Sequence, residues 1–164
     1  MPRQPERILL FRSGRHLGTA LTRLQAVYPG CDITVVTTPA AERVLDSLGI
    51  DRQHRIIFDR NQFFSPWAFF RSSAGAEVRH RRFDRVCVLW HDQDGTGQSN
   101  VDRTALTVSP LGFTAITPDG TLADQWPGMA LFRETMRAAV SIGIGAAIVT
   151  FLLVPARIAR AIRS

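Results

Sequence analysis

The chain has 164 residues, which leaves room for one domain of ordinary size and a C-terminal extension. All 20 of its basic residues are Arg, against 14 acidic residues, and the formal net charge is +6. Residues 128–164 hold five Arg and one acidic residue, and this distribution favours anionic lipid headgroups over nucleic acid as the partner of the basic residues.

The first residues, MPRQPERILLF, do not contain the long apolar run and small-residue cleavage site of a secretory signal. We therefore expect the N-terminal domain to remain in the cytoplasm. The alternative places this domain outside and the arginines of the C-terminal tail inside, as the positive-inside rule favours. Cys31 and Cys87 lie in or beside predicted strands and are expected to be reduced thiols of the core, which suits that compartment.

Residues 6–58 alternate between β-rich runs and helical patterns. After a loop over residues 13–18, apolar residues at spacings of four, three and four predict a helix that ends at Pro29-Gly30. A second helix is expected from Pro39, with Val44 and Leu48 on its buried face. The predicted strands are Arg7–Arg12, Cys31–Thr37 and Arg55–Phe58.

An aromatic segment and a basic cluster follow. Residues 61–73 carry four Phe and one Trp, and we expect a helix from Pro66 whose aromatic side chains cover the sheet or, alternatively, face a membrane or partner. The cluster over residues 79–82, Arg-His-Arg-Arg, indicates a solvated turn, with contact to lipid phosphates as the alternative.

Two further strands complete the predicted sheet, Phe83–Trp90 as a central strand and Leu111–Thr117 as the last. Strands that alternate with helices pair in parallel through right-handed crossovers. The expected fold is therefore α/β, a single Rossmann-like, doubly wound parallel sheet, followed by one C-terminal transmembrane helix.

The loop after the fourth strand is the most polar stretch of the chain. Asp92 and Asp94 stand one residue apart beside His91, so that a divalent cation is one interpretation. The other is that these residues cap the following helix, and on it we expect no metal and no cofactor.

The C-terminal part contains an uncharged, apolar run of seventeen residues, Ala138–Val154. A helix of that length is about 25 Å long, slightly less than a bilayer core of about 30 Å. A buried helix of a soluble core is the alternative, but the run is apolar on all faces. We assign residues 1–120 to the N-terminal domain, 121–137 to a linker, 138–156 to a transmembrane helix and 157–164 to a basic tail.

Small residues recur every four positions within this run, at Ala139, Gly143 and Ala147. Such a stripe lets a second helix approach closely, so we expect the helix to pack into an integral membrane protein complex. Residues suited to the membrane interface flank the run, and these are Trp126, Arg133, Arg137, Arg157, Arg160 and Arg163.

Residues 6–116 resemble the N-terminal half of the heptosyltransferase-like glycosyltransferases, which have the GT-B fold. The similarity lies in ERILLFRSGRHLGTALTRLQAVYPGCDITVVTTPAAERVL, in FDRVCVLWHDQDGTGQSNVDRTAL and in LGF. It implies a ligand site at the ends of the first and fourth strands, formed by Ser13, Gly14, Arg15, His16, Thr19, Asp92 and Asp94.

Two departures from that family change the expected function. The residue after Leu17-Gly18 is typically a catalytic Asp in these enzymes, whereas this chain has Thr19, which cannot accept a proton as a carboxylate does. The resemblance also ends near residue 116, and where the family has its second Rossmann half we expect the transmembrane helix instead. We therefore expect a non-catalytic accessory or scaffold subunit of a larger complex in the bacterial inner membrane, by analogy with the one-helix subunits of photosynthetic and respiratory complexes. The alternative is a membrane-attached glycosyltransferase or sugar-nucleotide-binding protein of envelope biosynthesis that works with a separate partner.

Overall fold

The structure is a computed structural model that describes residues 5–12, 15–59, 65–95 and 99–128. Ser13, Gly14 and the expected transmembrane helix 138–156, with its small-residue stripe, lie outside these residues. The flanking Arg133, Arg137, Arg157, Arg160 and Arg163 lie outside them as well. Among the helices that the structure describes, none combines the length and the apolar character needed to cross a bilayer.

Six strands form one sheet in the order β3-β2-β1-β4-β5-β6. The first five are parallel, which the alternation of strands and helices predicted, and β6 runs antiparallel to β5. The compact unit extends to Pro127, so that β6 belongs to the N-terminal domain although the sequence placed residues 121–127 in a linker. The bounds are β1 Arg7–Arg12, β2 Asp32–Thr37, β3 Arg55–Ile57, β4 Arg85–Leu89, β5 Phe113–Ile116 and β6 Leu122–Gln125.

Within the described ranges, five α-helices connect these strands. The helix from Leu17 and the helix from Pro66 occur as predicted, whereas α4 was not predicted: the cluster at residues 79–82, expected to be a solvated turn, is the end of this helix. The helices are α1 Leu17–Val27, α2 Glu42–Ser47, α3 Pro66–Arg71, α4 Ser73–Arg81 and α5 Ser99–Val108, with 3₁₀ turns at Pro39–Ala41 and Arg52–His54.

The sheet is buried on both faces because side chains alternate along each strand. On β1, Ile8 and Leu10 join the layer of α1 and α2, whereas Leu9 and Phe11 join the layer of α3, α4 and α5. Apolar residues at every position of its interior therefore place β1 at the centre of the sheet, between β2 and β4.

In two helices, α2 and α3, the buried side chains differ from those that the sequence predicted. In the second helix Leu45 is buried and Leu48 is 41% exposed, because the 3₁₀ turn before α2 rotates Ala41 and Leu45 inward instead of Val44 and Leu48. In α3 only Phe69 is buried, since a helix of six residues presents one side to the sheet.

A tight corner joins α3 to α4. The hydroxyl of Ser72 accepts a hydrogen bond from the N–H of Gly75 at 3.1 Å and donates one to the carbonyl of Phe69 at 2.7 Å. A Cβ atom on Gly75 would overlap the carbonyl oxygen of Phe69. Glycine is therefore required at this position by close backbone contact.

Candidate functional site

The candidate site lies where the direction of chain winding reverses. The chain leaves β1 toward β2 on one side and leaves β4 toward β5 on the other, although β1 and β4 are neighbours. In open α/β sheets a crevice forms at the carboxyl ends of two such strands, and ligands bind there. In this chain those ends are Arg12 on β1 and Leu89 on β4, which lie opposite each other in the register.

Arg12 places a partly buried positive charge at this crevice. Its Nε atom is buried and makes no hydrogen bond to any residue that the structure describes. Burial lowers the pKa of Arg12, but a guanidinium stays protonated at neutral pH. A buried N–H without an acceptor is unfavourable, so this group would gain from an anionic or carbonyl oxygen.

Helix α1 begins next to this strand end. Its first residue is Leu17, and the preceding His16 forms no side-chain capping bond with the residues described. The N-terminus of a helix carries a partial positive charge and free N–H groups. Arg15 and His16 are both exposed there, so the described part of the loop between β1 and α1 is open to solvent.

Thr19 lies in the first turn of α1 and is exposed. Its methyl group lies 3.6 Å from the position that a Cβ on Gly120 would take, so it stands beside the turn between β5 and β6. Asp119 in that turn accepts hydrogen bonds from the hydroxyl of Thr117 and from the N–H and hydroxyl of Thr121. These bonds lower the pKa of Asp119, first the one from Thr117, because they stabilise the carboxylate.

A buried polar pair, which the sequence did not predict, fixes the chain directly after β4. Trp90 and Asp102 are 4% and 2% exposed, and the indole N–H donates to the Asp102 carboxylate at 3.0 Å. Gly95 lies against the indole ring, where a Cβ would come within 2.8 Å of a ring carbon. The loop after β4 is therefore held on Trp90, and Trp90 is held by the first turn of α5.

The acidic residues predicted in this loop remain at the surface. His91, Asp92 and Asp94 are exposed, and the carbonyl of Asp92 accepts a bond from Gly95 at 3.4 Å. Within the ranges that the structure describes, no three His, Cys, Asp or Glu side chains converge as metal ligands would. The structure thus brings Arg12, Arg15, His16 and the acidic loop to one edge of the sheet.

The chemistry available at this edge is recognition of an anion. A partly buried guanidinium and a helix N-terminus both favour negative charge. Arg12 was not among the predicted site residues, and its signal in the sequence was its position as the last residue of a buried strand. Comparison with protein-family models, curated proteins and solved structures gives no match.

Proposed function

We propose that this chain is a non-catalytic accessory subunit, anchored in the bacterial inner membrane by its C-terminal helix, that stabilises a larger membrane complex. The anchor is supported by the uncharged run Ala138–Val154 and by arginines on both sides of it. On this proposal the N-terminal domain lies in the cytoplasm, as the absence of a secretory signal in the first residues suggests, and the helix contacts the partner. The opposite orientation would keep Arg157, Arg160 and Arg163 inside, as the positive-inside rule favours.

The observation that carries the non-catalytic proposal is the environment of Thr19. Where the similar glycosyltransferases have a carboxylate, this chain has a hydroxyl whose methyl group lies beside Gly120. A neutral hydroxyl does not act as a general base near neutral pH. Asp102 is a buried carboxylate in the helix that follows β4. It accepts the hydrogen bond of the Trp90 indole and so supports the fold.

The partner contact is proposed at Ala139, Gly143 and Ala147. Helices in lipid associate by close packing, and small side chains at a spacing of four allow it. Gly143→Leu adds a large side chain in the middle of this stripe. Gly145→Leu makes the same change two residues along, roughly 200° around the helix, and serves as the matched control.

The test is purification of both variants from native membranes in mild detergent. We expect Gly143→Leu to lose the proteins that co-purify with the wild type and Gly145→Leu to retain them, with the N-terminal domain folded in both. Retention of every partner by Gly143→Leu would exclude the stripe as the contact. Recovery of the wild-type chain in the soluble fraction would refute the anchor itself.

A second function is favoured by one specific observation, the buried Nε of Arg12, which has no hydrogen-bond partner in the part of the chain that the structure describes. On this proposal the domain binds the phosphate of a sugar nucleotide and acts with a separate partner. A nucleotide sugar should then raise the melting temperature of the full-length protein, and Arg12→Gln should abolish the rise. Arg82→Gln, an exposed residue at the opposite edge of the sheet, is the control and should leave the rise unchanged.

A further inference from the structure

Two large apolar side chains are exposed at the amino edge of the parallel strands. Leu111, just before β5, is 85% exposed, and Trp126, just after β6, is 64% exposed. They come together because β6 is antiparallel and returns the chain to the edge where β5 begins. A Cβ on Gly112 would lie 3.7 Å from the Cα of Trp126, which places the two backbones side by side. We call Leu111 and Trp126 the apolar patch.

The polar groups beside the apolar patch have partners within the domain. Arg85 pairs with Asp124 at 3.2 Å, and both line a cavity of about 320 Å³ together with Leu111 and Trp126. The carboxylate of Asp84, in the same lining, accepts the backbone N–H groups of Glu6 and Arg7 at 2.9 Å. Each of these three charged groups therefore keeps a hydrogen-bond partner on contact with a less polar medium, which lowers the desolvation cost of the contact.

The patch lies close in the chain to the apolar run. Ala138, the first residue of that run, follows Gly128 by ten residues, and ten residues span at most about 35 Å. A domain held by such a short connection experiences a high effective concentration of membrane surface. A weak apolar contact is then sufficient to orient it.

We infer that the apolar patch rests on the lipid bilayer at the boundary between headgroups and acyl chains, so that the amino edge of the sheet faces the membrane. This inference rests on the proposed membrane anchor. Trp is the side chain that most favours this boundary, since its ring is apolar and its N–H bonds to headgroups. The crevice at Arg12 then faces away from the lipid, toward the cytoplasm, because it lies at the opposite edge.

The chain contains a matched control for this contact. Trp67 is 65% exposed, almost the same as Trp126, but it lies at the carboxyl edge, beside a cavity lined by Phe58 and Asp59 that directly follow β3. Trp90 is buried and common to both variants below. Trp67→Phe leaves Trp126 as the exposed reporter, and Trp126→Phe leaves Trp67.

The experiment reconstitutes each full-length variant in phosphatidylcholine vesicles whose acyl chains carry bromine, a short-range quencher of Trp fluorescence. We expect the exposed-Trp emission of Trp67→Phe to fall by about half or more relative to unbrominated vesicles, and that of Trp126→Phe to be unchanged. Adding Leu111→Glu to Trp67→Phe should reverse the quenching, because it places a carboxylate at the contact.

Flotation of the same samples separates the two proposals. If the protein floats with the vesicles but Trp126 is not quenched, the contact between the apolar patch and the bilayer is refuted and the membrane anchor is not. Quenching of Trp67 instead of Trp126 also refutes the contact of the apolar patch, since the opposite edge of the sheet then faces the lipid. Protein that does not float overturns both.

Discussion

Gly95→Ala tests whether Trp90 holds the loop after β4. Gly95 has a φ of +67°, and a Cβ there would lie 2.8, 2.9 and 2.9 Å from three carbons of the Trp90 ring. Gly49 has a φ of +66°, and no described atom lies within 4 Å of the corresponding Cβ position. The two glycines thus have nearly the same positive φ and differ in their contacts, which makes Gly49→Ala the matched control.

The expected loss of stability has two contributions, the positive φ of the backbone and the overlap with the indole ring. An alanine in a left-handed conformation costs about 1–2 kcal/mol, and this applies to both variants. The overlap with the indole adds about 1–3 kcal/mol to Gly95→Ala, since the ring is buried and must shift. A ring that moves away from Asp102 also weakens a buried hydrogen bond of 3.0 Å. We therefore expect Gly95→Ala to reduce the free energy of unfolding by about 2–5 kcal/mol.

The assay is denaturant unfolding of the full-length protein in detergent, with Trp67 and Trp126 replaced by Phe so that Trp90 is the sole indole. Gly95→Ala should lower the midpoint well beyond Gly49→Ala and also shift the native emission of Trp90. Equal destabilisation of the two variants, or an unchanged native emission spectrum, would refute the proposed contact.

Three further predictions concern the same domain. Gly75→Ala should destabilise it by about 3 kcal/mol in denaturant unfolding, because the new methyl group meets the backbone of Phe69; a cost below that of Gly49→Ala would contradict this. Iodoacetamide at mildly alkaline pH should modify Cys31 but not Cys87 in the native protein, and both after unfolding, as read by intact mass, because burial raises the pKa of Cys87 to about 12. The pKa of Asp119 is lowered from 3.8 by hydrogen bonds from neighbouring threonines, so its contribution to stability is present above that pH and is lost as the pH falls. The melting temperature of the wild type should therefore exceed that of Asp119→Asn at neutral pH by a margin that shrinks in acid, and a margin independent of pH would be evidence against these bonds.

The strands and helices that could be predicted from the sequence are those that a pattern of neighbouring residues indicates. The run RILLFR predicted β1 to the residue, since a strand buried on both faces is continuously apolar. Spacings of three and four predicted α1, and Pro66 predicted the start of α3. The alternation of these elements was sufficient for an α/β sheet that is mostly parallel.

Other features depend on contacts between distant residues. Helix α4 has a weak apolar pattern and many charges, and it is buried only through Ala74, Gly75 and Val78 against the sheet. Strand β6 carries Asp124 in a stretch of mixed polarity, and pairing with β5 makes it a strand. Asp102 occupies a position typical of an exposed first-turn acid, yet the indole of Trp90 makes its burial possible.

The sequence by itself determined the alternating elements and the positions of the apolar run and the small-residue stripe, because each is a pattern of neighbouring residues. The tertiary structure alone decided that Arg12 stands at the reversal point with an Nε that has no partner among the described residues, that Trp90 links Gly95 to Asp102, and that Leu111 and Trp126 line the same cavity. These three depend on which strands lie side by side, and that order is set by the packing of the whole sheet rather than by any single segment.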